Sequence, residues 1–227
     1  EGIFNGNGYI ISGVNIQLTG NSEPVGLFGT VEGGTIKNTT ITGTAVKGGS
    51  ATGGIVGNLT ENGLIENCIS AVSSVEGAGN VGGIVGTTVG TIKYCQNSAT
   101  VKNSEHASGG IVGHSIGATT VYNCKNTGAI TATKSAAGGI MGYGVKGAVN
   151  ISKCTNSGAI YATAGLGRAG GITGGADATT TEHQITNCKN TGTVGTGTDR
   201  VGGIAGDISN ATIQRCINTN TITIYCT

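Results

Sequence analysis

The sequence predicts an all-β fold, a single-stranded right-handed parallel β-helix (β-solenoid) of about seven coils of 27–32 residues, with three short strands per coil. Three observations support this prediction. A Gly-Gly-Ile tripeptide recurs along the chain, a cysteine and then an asparagine recur within each unit, and apolar positions around them alternate with a period of two. The 45 glycines fit a chain that bends every few residues.

The Gly-Gly-Ile tripeptide sets the period of the repeat. Its isoleucines recur at nearly regular intervals that lengthen slightly toward the C-terminus, and Val25-Gly26-Leu27 is a degenerate copy one interval before the first. We therefore expect one domain of seven repeats over residues 25–227, preceded by a partial coil or cap over residues 1–24. The isoleucines are Ile55, Ile84, Ile111, Ile140, Ile172 and Ile204.

The spacing within a unit predicts strands. In the third complete unit Cys124, Asn126, Gly128 and Ile130 lie at offsets 0, 2, 4 and 6, so they share one face of a strand, which we expect to point inward. The parity breaks between Ile65 and Cys68 of the first complete unit, and the chain must bend at the two polar residues between them. The three predicted segments of a coil are Gly-Gly-Ile-Val-Gly, Thr-Ile-Lys and Cys-x-Asn-x-Gly-x-Ile.

Such a unit cannot bury its inner face alone, but stacked coils can. Each segment would then pair in parallel with the same segment of the next coil, about 4.8 Å away. The crossover rule for parallel strands favours a right-handed helix. A narrow interior suits small β-branched side chains, which agrees with two phenylalanines and no tryptophan.

Composition excludes several classes of function. Recurrent apolar positions and only 10% charged residues argue against disorder, and a net charge of +1 favours neither nucleic acid nor an anionic membrane as a partner. The apolar runs are too short to span a bilayer, so no membrane insertion is expected. The sequence shows neither a signal peptide nor an initiator Met, which we interpret as a processed product or an excised piece.

Two N-terminal stretches carry a resemblance to a known family. They are "FNGNGYIISGVNI" (4–16) and "VGLFGTVEGGTIKNTTITG" (25–43), and together they resemble the GLUG repeat. Later units keep the glycine core and the Thr-Ile strand, although they use Gly-Gly-Ile and add the cysteine. The resemblance implies a secreted or wall-attached bacterial protein, such as an adhesin or the non-catalytic N-terminal region of an immunoglobulin A-type metallopeptidase. It supplies no catalytic residues.

The recurring cysteines have three interpretations. A column of buried thiols is the first, because free cysteine is among the most buried residue types. Disulfide bridges between coils and metal binding are the others, but a spacing of one whole unit matches no zinc motif and stacked Cβ atoms suit a bridge poorly. Cys226 breaks the period. The six periodic cysteines are Cys68, Cys95, Cys124, Cys154, Cys188 and Cys216.

The recurring asparagines are expected to form a stacked amide ladder at a bend. Each side chain would bond to the next and to turn backbone, a structural role, because this parity faces inward. The five are Asn97, Asn126, Asn156, Asn190 and Asn218.

The acidic residues and histidines do not form a visible catalytic set. The eleven carboxylates are scattered, Asp177 is expected in a loop, and no pair of aspartates is expected to stack coil on coil. The three histidines occupy different offsets. We therefore expect no catalytic residues, no metal and no cofactor, since a polysaccharide lyase or hydrolase needs carboxylates that converge on one face.

Variable loops remain as the place for recognition. The bends lengthen in the later coils, and eight residues in or beside these insertions either reflect tolerated loop variation or form a recognition surface near the C-terminal end. They are Tyr143, Lys146, Tyr161, Arg168, Asp177, His183, Asp199 and Arg200.

The function predicted from these features is that of a non-enzymatic structural or adhesive segment of a secreted or cell-surface bacterial protein. Its expected partner is a host protein or glycan. Two alternatives remain open: the non-catalytic β-helix of a large secreted hydrolase, and a polysaccharide-active enzyme.

Overall fold

The computed structural model describes residues 2–18, 20, 22–163, 167–177, 181–196 and 200–224. Over these ranges every regular element is a β-strand, and the strands pair in parallel, each with the equivalent strand of the next coil. This confirms the predicted all-β parallel β-helix of about seven coils. Within the described ranges no helix is long and apolar enough to cross a membrane.

Sheet 1 precedes the Gly-Gly pair of each coil and ends at its first glycine. This short strand was not predicted, because the Gly-Gly-Ile segment proves to be a bend between two strands rather than one strand. The strands are Ala51–Gly53, Asn80–Gly82, Ser108–Gly109, Ala136–Gly138, Arg168–Gly170 and Arg200–Gly202.

Sheet 2 follows the Gly-Gly-Ile bend. Its strands begin with a Val or another apolar or small residue that is buried in most coils. The strands are Phe28–Val31, Val56–Leu59, Val85–Thr88, Val112–Ser115, Met141–Val145, Thr173–Asp177 and Ala205–Ile208.

Sheet 3 corresponds to the predicted Thr-Ile-Lys segment. Its central residue points inward, as does Ile92 with 0% exposure. The strands are Ile3–Asn5, Thr35–Lys37, Leu64–Glu66, Thr91–Lys93, Thr119–Tyr122, Val149–Ser152, His183–Thr186 and Ala211–Gln214.

Sheet 4 carries the cysteines and asparagines. Its first three strands are continuous, whereas each later coil contributes two short strands, because an asparagine side chain bonds to the backbone two residues ahead and interrupts the ladder. The strands are Ile10–Gln17, Thr40–Gly48, Ile69–Gly77, Gln96–Asn97, Thr100–Asn103, Lys125–Asn126, Ile130–Ala132, Thr155–Asn156, Ile160–Ala162, Lys189–Asn190, Val194–Thr196, Ile217–Asn218 and Ile222–Ile224.

The bend between sheets 3 and 4 is made by one left-handed residue per coil. The residue immediately before each cysteine, or before Thr39 in the first coil, has φ between 50° and 58°. This rotation changes which parity faces inward, at the place where the sequence predicted a bend. The residues are Asn38, Asn67, Tyr94, Asn123, Lys153, Asn187 and Arg215.

The core is a set of aliphatic columns along the stack. The isoleucines after the Gly-Gly pair, the central residues of sheet 3 and the Val or Ile at offset 6 are almost all fully buried from the second to the sixth coil. The last described coil is more open, since the inward-facing Ile213 and Ile222 are each more than 40% exposed. Interior packing is therefore complete where coils have neighbours on both sides.

Candidate functional site

The cysteine column occupies the corner after the left-handed residue. Cys68, Cys95, Cys124, Cys154 and Cys188 are buried, and the six described cysteines are free thiols. Cys216 is only partly buried, which corrects the expectation that all six would be enclosed, because it lies in the last described coil. Cys226 lies outside the described residues.

Each thiol of the column performs the same local task. Its Sγ donates to the carbonyl oxygen two residues earlier at 3.3–3.4 Å, as Cys124 does to Tyr122. In the first coil the hydroxyl of Thr39 donates to the Lys37 carbonyl at 3.0 Å in the same way. The cysteine is therefore a small buried donor that satisfies a carbonyl at the bend.

The environment of the column disfavours thiolate chemistry. Burial raises the pKa of the Cys95, Cys124 and Cys154 thiols. Cys68 differs, because a hydrogen bond with Cys95 lowers its pKa while burial opposes this effect, yet Cys68 is 0% exposed. Reaction with an external reagent is thus limited by access along the whole buried column.

The asparagine ladder runs parallel to the cysteine column. From Asn97 to Asn218 each Nδ2 donates to Oδ1 of the asparagine in the next coil at 2.7–2.9 Å. The same Nδ2 also donates to the carbonyl two residues ahead, at 2.8–3.0 Å in all five coils. The predicted amide ladder is present, and the amide groups of these side chains form their hydrogen bonds within the protein.

Four of the eight predicted recognition residues meet on one surface. Tyr143, Arg168, Asp177 and Arg200 come together with Asp207, which the sequence had not placed with them, and we call these five residues the arginine cluster. Arg168 Nε lies 2.9 Å from Asp207 Oδ2, and its Nη2 lies 3.9 Å from Asp177 Oδ2. Arg200 Nη1 lies 3.2 Å from the same Asp207 oxygen.

The arginine cluster corrects the expectation for Asp177. Asp177 ends a strand of sheet 2 rather than lying in a loop, and it approaches the same guanidinium as Asp207 of the next coil. Asp207 is the register partner of Gly175, so the two aspartates do not stack on each other and are linked only through Arg168. Each carboxylate is thus engaged with the Arg168 guanidinium, an arrangement that suits an ion pair rather than a general acid or a free base.

Tyr143 is enclosed by its neighbours in the stack. His114 of the preceding coil stacks on its ring at 5.9 Å and 13°, and the Arg168 guanidinium of the following coil lies 4.7 Å from the ring centroid. Its hydroxyl donates to Asp177. The cluster therefore links three consecutive coils through contacts with the Tyr143 ring.

The other predicted recognition residues lie apart. Lys146 occupies a turn with φ of 64°, and Tyr161 is exposed in the middle of a sheet 4 strand. The surface role expected for His183 is wrong, because its side chain is 0% exposed and its Nδ1 accepts from the Val149 backbone N–H at 3.1 Å. Asp199 lies outside the described residues.

A cleft of about 860 Å³ lies where the strands of sheet 4 end and those of sheet 1 begin. Its wall includes Lys47, Glu76 and Lys102, which are register partners in three successive coils. The sequence holds a signal for this column, since each of the three residues directly follows an inward valine. This signal is weak, because surface charges at one offset are common.

Metal ligation finds no support in the described part of the chain. Over those residues no group of three or more His, Cys, Asp or Glu side chains is arranged to hold an ion.

Comparison with known proteins agrees with the resemblance seen in the N-terminal stretches. The family model "The GLUG motif" matches residues 104–131. None of the curated proteins matches the sequence significantly.

One solved structure has the same fold. It is a crystal structure named a putative immunoglobulin A1 protease from Bacteroides ovatus, with a TM-score of 0.65 and 21% identity. The match covers 97% of this chain and 61% of that one, so this chain spans less than two thirds of its structural relative. At this identity the likeness concerns the fold, and together with the family match it identifies the chain as a parallel β-helix that carries the GLUG motif.

Proposed function

We propose that the chain is a non-enzymatic structural and adhesive β-helix segment of a secreted or cell-surface bacterial protein. The observation that carries this proposal is that the described coils repeat one set of inward groups while their outward groups differ. The thiols and ladder amides bond inward, and the aliphatic columns pack on one another. Only the outer surface is left to vary, as in repeat proteins that present an extended binding surface.

The geometry suits a spacer as well as a binding surface. Seven coils at the strand spacing of about 4.8 Å give a stack roughly 34 Å long. Each coil depends mainly on its nearest neighbours, so the stack resists bending while loops on its surface change. A host protein or glycan is the partner that we assign to this surface.

A second candidate is the non-catalytic β-helix region of a large secreted hydrolase of the immunoglobulin A-type metallopeptidase kind. The name of the structural relative and the greater length of that chain favour it. In that protein the segment would position the substrate for a catalytic domain elsewhere. A polysaccharide-active enzyme is the third candidate, and the pairing of Asp177 and Asp207 with Arg168 weighs against it.

The proposal is tested by attachment and by turnover with the same purified chain. Beads coated with the chain should adhere to epithelial cells or immobilised mucin, whereas beads coated with albumin should not. The chain should release no product from pectin, alginate, glycosaminoglycans or mucin glycans. Turnover that disappears in Asp177→Asn or Asp207→Asn would establish the enzyme instead, and a lack of attachment would overturn the adhesive role.

A further inference from the structure

The cleft at the junction of sheets 4 and 1 has a floor made largely of backbone. Gly48, Gly49, Gly77 and Gly79 line it together with Ala78. A Cβ at Gly79 would lie 1.7 Å from the Ser50 carbonyl oxygen, so no larger residue fits there with this backbone. The floor is consequently smooth, without the separate apolar pockets that side chains of a peptide would fill.

The wall of the cleft has one cation in excess. Lys47 Nζ lies 3.1 Å from Glu76, and Lys102 Nζ lies 3.9 Å from the other oxygen of the same carboxylate. Glu105 also lines the cleft, and its carboxylate is paired with Lys134 at 2.7 Å. Lys134, which does not line the cleft, neutralises Glu105, so within the cleft Lys47 and Lys102 share the single carboxylate of Glu76. Lys102 is the more loosely held of the two that share Glu76, with 58% of its side chain exposed.

Glu76 remains an anion in this arrangement. A hydrogen bond with Ser74 is the main cause that lowers its pKa, and Lys47 and Lys102 act in the same direction. Because Glu76 can neutralise only one lysine, the second lysine can pair with an anion that enters the cleft.

The rim supplies neutral hydrogen-bonding groups. Ser50, Ser104, Thr133 and Asn80 line the cleft with hydroxyl and amide groups. Asn103 lines it as well and is 4% exposed. Its Nδ2 donates a hydrogen bond to the Gly79 carbonyl oxygen. Its Oδ1 has no hydrogen-bond partner among the described residues. Because that oxygen is itself buried, the hydroxyl groups and the Asn80 amide are the rim groups that a ligand can reach.

We propose that this cleft binds an oligosaccharide that carries an anionic group, with Lys102 as the residue that contacts the negative charge. The smooth floor takes the C–H face of a sugar ring, and the rim bonds its hydroxyls. A volume of about 860 Å³ lies within the range of roughly 300–1,000 Å³ that small-ligand sites occupy. The inference rests on the proposed adhesive function, for which it names the chemical class of the ligand.

Binding is measured with the whole chain on immobilised oligosaccharides of four kinds: sialylated, uronate-containing, sulfated and neutral. The anionic glycans should bind at least tenfold more tightly than neutral ones of equal length. Comparison of the sialylated and uronate-containing glycans with the sulfated ones distinguishes recognition of a carboxylate from recognition of a sulfate. Lys102→Gln should weaken anionic binding about tenfold. The matched control Lys125→Gln removes an exposed lysine from the same sheet outside the cleft and should change nothing.

A second variant tests the location independently of charge. Ala78→Trp places a large side chain on the exposed part of the floor and should abolish binding, with thermal melting used to show that the chain stays folded. Equal binding of neutral glycans, no binding to any glycan, or full binding by both cleft variants would overturn the inference. Cell attachment that persists in both variants would overturn it while leaving the adhesive function standing. Glycan binding without cell attachment would support the site and contradict the function.

Discussion

At the scale of single residues, two asparagine ladders with different surroundings account for most of the side-chain amide bonds. The inner one runs from Asn97 to Asn218 and is buried over most of its length. The outer one is exposed, and in it Asn67 Nδ2 donates to Asn38 Oδ1 at 2.8 Å. The same chemistry should therefore have very different energetic weight in the two places, since an unsatisfied group costs most where water cannot reach it.

Replacing an asparagine by aspartate should have a different effect on the unfolding free energy in each of the two ladders. Asn126→Asp removes the donor to Asn156 and to the Gly128 carbonyl and buries a charge, so we expect a loss of at least about 3 kcal/mol in unfolding free energy at pH 7. The loss should shrink on acidification, as the buried acid becomes protonated. Asn67→Asp, the matched change in the exposed ladder, should cost less than about 1 kcal/mol. Similar costs in urea unfolding would contradict the burial of the inner ladder.

The left-handed residue before each cysteine, or before Thr39 in the first coil, is asparagine in four coils, but it is Tyr94, Lys153 and Arg215 in the three others. A Cβ in this conformation costs roughly 1–2 kcal/mol, which glycine avoids. We expect Lys153→Gly to be about 1 kcal/mol more stable than Lys153→Ala, the reverse of the usual order in a strand. Both variants lose the contact of Lys153 with Tyr122, so the difference in their unfolding free energies isolates the backbone.

His114 predicts a pH dependence of stability. Burial, and secondarily the charge on His106, lower its pKa to about 4, below the ordinary value of about 6.5. The folded state favours the neutral ring, so this contribution is complete above pH 6.5 and is lost as the pH falls toward 4. The loss should be on the order of 2 kcal/mol. In His114→Gln the fall in unfolding free energy between these pH values should be smaller, and identical curves would contradict this role.

Much of the residue-level arrangement could be predicted because a strand alternates strictly. Offsets 0, 2, 4 and 6 from each cysteine predicted that Cys124, Asn126 and Ile130 point inward, and all three are buried. The thiol-to-carbonyl bond could not be predicted, since it depends on the left-handed turn that aims the Tyr122 carbonyl at Cys124. The two-residue period of a strand predicts which face a side chain lies on, but not which backbone group it contacts.

At the scale of elements, the Gly-Gly bend and the asparagine form one unit. A Cβ on Gly110, the second glycine of its pair, would lie 2.2 Å from the Gly139 carbonyl oxygen and 2.3 Å from Asn126 Cγ. The asparagine side chain thus packs directly on the glycine backbone, which explains why the two motifs recur together although they belong to different segments of the coil.

This contact gives a direct test of the bend. Gly110→Ala should lower the unfolding free energy by more than about 3 kcal/mol, because the clash is with backbone that other coils hold in place. Gly195→Ala is the control, since a Cβ there would meet only the Tyr161 ring at 3.5 Å. Thermal melting of both variants is the measurement, and the melting temperature of Gly110→Ala should be the lower one. Equal melting temperatures would mean that the bend is loosely packed.

Element boundaries explain the sequence-based errors. Insertions of different length in successive coils hide the register, so Arg168 and Asp207, which belong to neighbouring coils, could not be paired until the parallel sheets aligned them. The long stretch before Ile185 predicts an insertion with His183 in or beside it. The strand in fact begins at His183, whose ring takes an inward position and bonds to the Val149 backbone.

At the scale of the whole molecule, stability and function divide between the inside and the outside of the stack. Thiols, amides and aliphatic side chains repeat on the inside, and each coil completes the hydrogen bonds of the one before it. The outer surface is free to differ, and there the cleft and the arginine cluster lie. The proposed scaffold therefore depends on one claim: the columns are continuous and closed to solvent along the described stack.

The accessibility of the thiols tests this claim along the full length of the stack. Native alkylation followed by intact mass should show at most two labels, at the partly buried Cys216 and at Cys226, which breaks the period. Alkylation after denaturation without a reductant should show seven, the full number of cysteines. Four or more native labels would mean that the cysteine face points outward, and five or fewer labels after denaturation would mean that cysteines of the column are joined by a disulfide.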